Sequence, residues 1–143
     1  LSDGTFTSGK GNFGTYLEGA TVSWDGEANF MITTASADSW RVQLVHDLSL
    51  TQGTQYTFCY HAKAAGARSI NVNIDSGAPD YSSLMGYGRN VALTTAWQSF
   101  SHTFTASATD TTARITFNMG QSDLDVQLDN IGVYPGASCG SPL

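Results

Sequence analysis

The feature that most constrains this chain is strict alternation. In Ser69-Ile70-Asn71-Val72-Asn73-Ile74-Asp75, branched apolar residues occupy every second position and polar residues fill the rest. Successive side chains of a strand point to opposite faces, so this segment reads as a half-buried strand and not as a helix. The same period recurs in Tyr56-Thr57-Phe58-Cys59-Tyr60-His61-Ala62, in Gln98, Phe100, His102 and Phe104, and in Ala113, Ile115, Phe117 and Met119. Further strands are expected over 30–33, 42–48, 91–93 and 126–133. Clusters of Gly, Asp, Ser and Thr separate them, as at Thr51-Gln52-Gly53-Thr54. No stretch keeps a helical period over the length of an ordinary helix.

Regularly spaced short strands of this kind predict an all-β, antiparallel β-sandwich of jelly-roll form. Ile70, Val72 and Ile74 should face the core, and Asn71, Asn73 and Asp75 the outside. Tyr56, Phe58, Tyr60 and Ala62 should likewise point inward, with Cys59, His61 and Lys63 on the other side. One sandwich is expected over residues 1–134, followed by a tail with linker composition at 135–143 that would tether another domain.

The balance of charge narrows the partners. The chain has 143 residues, a formal net charge of −6, and only two lysines, Lys10 and Lys63. Phosphate backbones and anionic membranes both select clustered Lys and Arg, so neither nucleic acid nor a membrane surface is an expected partner. A neutral polymer or a bound cation suits the balance better. No apolar run is long enough to cross a bilayer. The chain opens directly on polar, Gly-rich sequence, so a processed or excised piece is expected. Cys59 and Cys139 do not form a metal-binding spacing, and both a disulfide and two free thiols remain compatible with the sequence.

No catalytic constellation emerges. The G-x-S-x-G string of a serine hydrolase occurs only as Gly136-Ala137-Ser138-Cys139-Gly140, in the linker-like tail and not at a strand-to-helix turn. Glycoside hydrolysis needs two opposed carboxylates, and none of the twelve acids sits in a recognisable motif. Asp123 and Asp125 read as a solvated loop. His46, His61 and His102 lack metal-ligand spacing and read as structural or solvated, with His102 at a core edge.

The order of the segments carries a resemblance. Trp40-Arg41-Val42-Gln43-Leu44 precedes Leu50-x-x-Gly53-x-x-Tyr56-x-Phe58-x-Tyr60-x-Ala62-Lys63-Ala64. Leu93-Thr94-x-x-Trp97-Gln98-x-Phe100, Ala113-Arg114-Ile115-x-Phe117 and Leu128-Asp129-Asn130-Ile131 follow. From Asp3 to Val133 the chain resembles the carbohydrate-binding modules of the family 4/9/22 type, which are attached to bacterial xylanases, cellulases and laminarinases. The resemblance implies a secreted, monomeric, non-catalytic module that binds a polysaccharide in a concave cleft and serves a covalently linked glycoside hydrolase. A small jelly-roll glycanase or lyase is the alternative.

Sugar rings present apolar faces and a rim of hydroxyls, so a site needs flat aromatics and amide or guanidinium side chains. By resemblance, Trp40 is the stacking residue, Gln43 a polar contact, and Arg89 in Tyr87-Gly88-Arg89 a hydroxyl ligand. Asn71, Asn73 and Asn118 supply amides. Thr116 stands where xylan-binding members carry a histidine, and Leu84 where they carry a second stacking aromatic, for which Tyr81 or Tyr87 can substitute. These departures set β-glucan ahead of xylan. Trp97, just before a strand, is expected to pack into the core.

The resemblance also implies a structural calcium. Asp25 and Asp129 would supply carboxylates, and Thr5 and Ala28 carbonyl oxygens. Thr7 stands where the family has an acidic ligand, and a turn role for Asp25 is the alternative. The N-terminal segment shows few apolar anchors before Tyr16, so a cation is expected to pin it to the last strand.

Overall fold

The alternating segments pair into two sheets whose apolar sides meet. The computed structural model describes residues 3–140. In chain order the strands are β1 (Gly14–Leu17), β2 (Ala20–Trp24), β3 (Ala28–Ile32), β4 (Val42–Leu50), β5 (Gln55–Ala64), β6 (Arg68–Asp75), β7 (Arg89–Leu93), β8 (Gln98–Thr105), β9 (Asp110–Asn118) and β10 (Val126–Pro135). One 3-10 turn, Ser39–Arg41, leads into β4. The sheets are five-stranded, ordered β1-β4-β9-β6-β7 and β2-β3-β10-β5-β8, and all their pairings are antiparallel. This is the expected sandwich.

Parity decides the core. Ile70, Val72 and Ile74 of β6 meet Phe58, Tyr60 and Ala62 of β5 in one buried cluster. The Phe117 ring stands edge-on to Tyr60, with centroids 5.1 Å apart, and so knits β9 of one sheet to β5 of the other. His102 lies at the core edge, its Nε2 2.8 Å from Tyr60 Oη. Burial, then the charge of Arg89, hold its imidazole below the ordinary histidine range.

Four expectations are overturned or extended. First, β1 and β2 are strands, although neither shows a clear alternation. Second, the N-terminal segment is well anchored before Tyr16. Phe6 and Phe13 are each 1 % exposed, and Phe6 packs on both Phe13 and Trp24. His46 Nε2 lies 3.1 Å from the Asp3 carboxylate, which also accepts the Asn12 N–H at 2.6 Å. Burial opposes ionisation of Asp3, but the Asn12 N–H and His46 together hold its carboxyl below the ordinary range. Third, Trp97 is not in the core but 40 % exposed, because it precedes β8 on the outer side of its sheet. Fourth, Asp75 does face the outer side of β6, yet it is buried there, since Arg114 of β9 covers it through two hydrogen bonds of 3.0 and 3.4 Å.

Cys59 lies on the outer face of β5 as expected, and it is buried because the tail covers it. Cys59 and Cys139 form a disulfide, with Cα atoms 5.9 Å apart. The segment from residue 135 begins inside β10. Gly136 N donates to Gln55 O at 2.8 Å, and Thr57 Oγ1 donates to Gly136 O at 2.8 Å. Residues 141–143 of the linker-like tail lie outside the described residues.

Candidate functional site

The outer side of the sheet β1-β4-β9-β6-β7 carries a continuous row of register partners. Tyr16 lies opposite Gln43, Gln43 opposite Asn118, Asn118 opposite Asn71, and Asn71 opposite Asn90. Directly opposed residues share a face, so all five side chains project the same way. Four strand spacings make the row about 19 Å long. Its amides are tied head to tail. Gln43 Nε2 donates to Asn118 Oδ1 at 2.7 Å, Asn118 Nδ2 to Asn71 Oδ1 at 3.2 Å, and Asn71 Nδ2 to Asn90 Oδ1 at 3.0 Å. Every donor in this chain points from β4 toward β7. Gln43, Asn71 and Asn90 keep amide hydrogens for a ligand, whereas Asn118 gives its second N–H to Thr116 Oγ1 at 3.4 Å and offers a lone pair.

A second row lies two residues further along the strands, about 7 Å away. Here Thr116 sits between Val45 and Asn73, and Ser83 Oγ donates to Asn73 Oδ1 at 2.8 Å. A third row holds Asp47, Arg114 and Asp75, with Ser83 bridged to Asp75. Thr116 and Asn118 are themselves buried, because β9 is the middle strand and the flanking strands rise on either side of it.

Aromatic rings stand at the margins. Tyr16 and Trp40, each 47 % exposed, lie side by side with centroids 6.0 Å apart. A polar clamp fixes both. Tyr16 Oη donates to Glu18 Oε2 at 2.7 Å, Arg41 Nη1 to Glu18 Oε1 at 2.9 Å, and Arg41 Nε to Asp38 Oδ2 at 3.0 Å. The Arg41 guanidinium in turn lies 4.7 Å from the Trp40 ring centroid, so one face of the indole is braced. The hydrogen bond from Tyr16 holds the Glu18 carboxyl below its ordinary range. Across the sheet, Tyr81 projects from the loop after β6, which is closed by Tyr81 N donating to Gly77 O at 2.9 Å. The Arg114 guanidinium lies 5.3 Å from its ring. Tyr16, Trp40, Gln43, Asn118, Tyr81 and the Asp75–Arg114 pair enclose a cavity of about 660 Å³, within the range of small-ligand sites.

Of the residues expected at the site, Trp40, Gln43, Tyr81 and Asn118 line this cavity, and Asn71, Asn73 and Thr116 continue its floor. Tyr87 is the most exposed large hydrophobic side chain among the described residues, on the approach to β7. Arg89 is placed differently. It pairs with Val72, a core-facing residue, so it has the opposite parity to Asn71 and Asn90. Its guanidinium stacks 4.0 Å from the Tyr87 ring, and it also donates to the Tyr87 carbonyl. Leu84 is buried and reaches no part of the site. Sequence reasoning missed Tyr16, Asn90, Asp75 and Arg114. The parity of β6 already put Asp75 on this face, and the parity of β9 does the same for Arg114.

The residues expected to hold calcium lie on or beside the other sheet. Asp25 lies in the β2–β3 turn, its N–H donating to Glu27 O at 3.2 Å. Leu128 pairs with Ala28, which sets Asp129 next to that turn. Gly4 O accepts the Ile131 N–H at 3.0 Å, which brings Thr5 to the same end. Asp129 is half-buried, accepts the Asn130 N–H at 2.8 Å, and forms no ion pair among the described residues. Those residues contain no group of three or more His, Cys, Asp or Glu side chains placed to hold a metal.

A β-sandwich whose open face bears an oriented amide row between exposed rings has the make-up of a carbohydrate-binding module. Residues 1–125 match the family CBM_4_9, described as a carbohydrate binding domain, and the chain belongs to that family. A solved structure described as "CBM4 structure and function" is 27% identical, with a TM-score of 0.82 over 94% of this chain and 98% of its own. The N-terminal cellulose-binding domain of Cellulomonas fimi β-1,4-glucanase C is 23% identical, with a TM-score of 0.72 over 94% of this chain and 95% of its own. The second such domain of that enzyme is 18% identical, with a TM-score of 0.78 over 94% and 92%. None of the curated proteins matches this chain. Binding of polysaccharide is therefore the function the family supports.

Proposed function

We propose that the open face of β1-β4-β9-β6-β7 binds a single polysaccharide chain lying across the strands, with β-glucan preferred over xylan, and that the protein performs no catalysis. The observation that carries this reading is the directed amide row from Gln43 to Asn90, with the Tyr16–Trp40 pair at one end. The rings stack on the apolar faces of sugars, and the amides take their hydroxyls. The names of the Cellulomonas fimi neighbours, cellulose-binding domains of a β-1,4-glucanase, support a β-glucan. Asp75 is the single carboxylate lining the cavity, and Arg114 engages both its oxygens. Hydrolysis of a glycosidic bond takes two carboxyl groups. The disulfide supports an oxidising, extracellular setting. Service to a covalently linked glycoside hydrolase, as a monomer, completes the reading.

Calorimetry or affinity electrophoresis over soluble β-glucans and xylans tests the reading. Trp40→Ala removes a half-exposed ring worth about 2 kcal/mol when buried, so affinity should fall roughly 30-fold. Failure of the unaltered protein to bind any β-linked glycan sinks the reading. If glycan binds and Trp40→Ala leaves it unchanged, the site lies elsewhere. New reducing ends or unsaturated products after long incubation would indicate the rival glycanase or lyase.

We also propose a structural calcium near Asp129. A half-buried carboxylate without an ion-pair partner suits a hard cation, and carbonyls of Thr5 and Ala28 with the Asp25 carboxylate are oxygen donors of the kind calcium accepts. Such an ion would stabilise the fold by binding only the native state. Asp129→Asn should lower the melting temperature in calcium and abolish its response to a chelator. An unaltered protein whose melting curve ignores both calcium and chelator refutes the site.

A further inference from the structure

The other sheet carries a comparable construction that the cleft does not use. On its outer face Ser23 lies opposite Asn29, Asn29 opposite Gln127, and Gln127 opposite Lys63. The Lys63 ammonium then stands 5.3 Å from the ring centroid of Trp97, which closes the row at its far end. This row too runs from one edge strand toward the other, ending just before β8. A concave region of about 490 Å³ opens beside it, reaching Met31 and Asp125. Met31 is 46 % exposed and, with Trp97, places apolar surface on an otherwise polar sheet.

The polar groups are set in place without being used up. Gln127 Nε2 donates to Glu27 Oε1 at 2.9 Å and to Asn29 Oδ1, which fixes the amide and leaves Oε1 open. Lys63, one of only two lysines in the chain, makes no hydrogen bond or ion pair with any described residue. Asp125 Oδ1 accepts the Ile32 N–H at 2.9 Å and keeps its second oxygen. Lys63 and Asp125 carry opposite charges into the same hollow, which favours a neutral ligand rich in hydroxyls over an ionic one.

We propose that this face is a second saccharide site, back to back with the cleft. It would take a short segment or end of the same class of neutral glycan, stacked on the free face of Trp97 and hydrogen-bonded by Lys63, Gln127 and Asp125. The proposal rests on the reading of the cleft as a glycan site for its ligand class. It has one braced ring where the cleft has a pair, so its affinity should be the weaker by tenfold or more.

Titration of the full chain with cellohexaose, followed by backbone-amide and indole N–H resonances, tests it. Two sets of signals should move with different midpoints, one around Asn118 and Asn71 and one around Gln127 and Trp97. In Trp40→Ala the second set should still move while the first loses affinity. In Trp97→Ala and Lys63→Ala the second set should weaken at least fivefold and the first should not change, with dispersed spectra reporting an intact fold. Movement of the first set alone overturns the second site and leaves the cleft standing. Movement of the second set alone removes the cleft and keeps this site. Loss of all movement removes both. A second set unaffected by Trp97→Ala and Lys63→Ala also overturns the proposal, and so does concentration-dependent broadening without sugar, which would mark the face as a contact between copies of the chain.

Discussion

The two outer faces of this sandwich are built by the same device and finished differently. Each carries one row of opposed residues running from one edge strand toward the other. On the β1-β4-β9-β6-β7 face, three amides donate in one direction, and two rings are clamped at the margin by Glu18, Arg41 and Asp38. On the opposite face, a single amide link is followed by an uncommitted lysine and one ring, and part of the sheet lies beneath the disulfide-bonded tail. The difference lies in how firmly the exposed amides and aromatics are held, not in which residue types are exposed. A chain of fixed hydrogen bonds removes rotamer freedom before a ligand arrives, so less is lost on binding.

The comparison can be broken most forcefully at the tail. Cys139→Ser opens a covalent loop spanning 80 positions, for which chain-entropy arguments give about 4 kcal/mol of stability. Chemical denaturation should show a loss of that order. Glycan affinity of the cleft should stay within about twofold, because the tail lies on the other sheet. A parallel collapse of affinity would mean that the two faces are not independent.

A smaller effect is expected within the amide row. Asn118→Ala deletes the middle link, leaving Gln43 without an acceptor and Asn71 without a donor. Each lost hydrogen bond is worth roughly 1 kcal/mol, so calorimetry should show cleft affinity falling about tenfold or somewhat more. Trp97 resonances should not respond. An effect no larger than that of Asn90→Ala, at the end of the row, would show that the amides act singly.

The smallest effect expected is acidic. Burial first, and Arg89 second, depress the folded-state pKa of His102. A depressed pKa gives stability that is full above the unfolded value of about 6.5 and is lost as pH falls through the folded value. Melting temperatures measured from pH 7.5 down to pH 5 should therefore decline. His102→Gln should flatten the decline within that window. Asp3 is not confounding there, since its carboxyl is held below its ordinary range. A decline that persists in His102→Gln would assign it to another group.

What the sequence disclosed was whatever a single strand can disclose. Parity alone put Asn71 and Asn73 on one face of β6 and Phe58 and Tyr60 on the inner face of β5. What it withheld depends on register between strands distant along the chain. Tyr16 reaches Gln43 only because β1, four residues long and bounded by glycines, pairs with β4. Arg114 and Asp75 meet across the β6–β9 pairing. Asn90, and not its neighbour Arg89, shares parity with Asn71, which only the β6–β7 register discloses. Phe6 and Phe13 were overlooked because they sit among glycines outside any strand. Their burial also removes the argument that only a cation could hold the N-terminal segment.

The position of the disulfide also matters for mechanics. The chain leaves the sandwich from β10, whose final residues, Gly132 to Pro135, pair with β5. Tension applied beyond residue 139 would otherwise unzip that ladder one hydrogen bond at a time, starting at Pro135. With Cys139 joined to Cys59, the tension bypasses the end of β10 and enters midway along β5, a strand flanked on both sides by β10 and β8. There it must shear several hydrogen bonds at once, which is the stronger geometry against a pull on the tail.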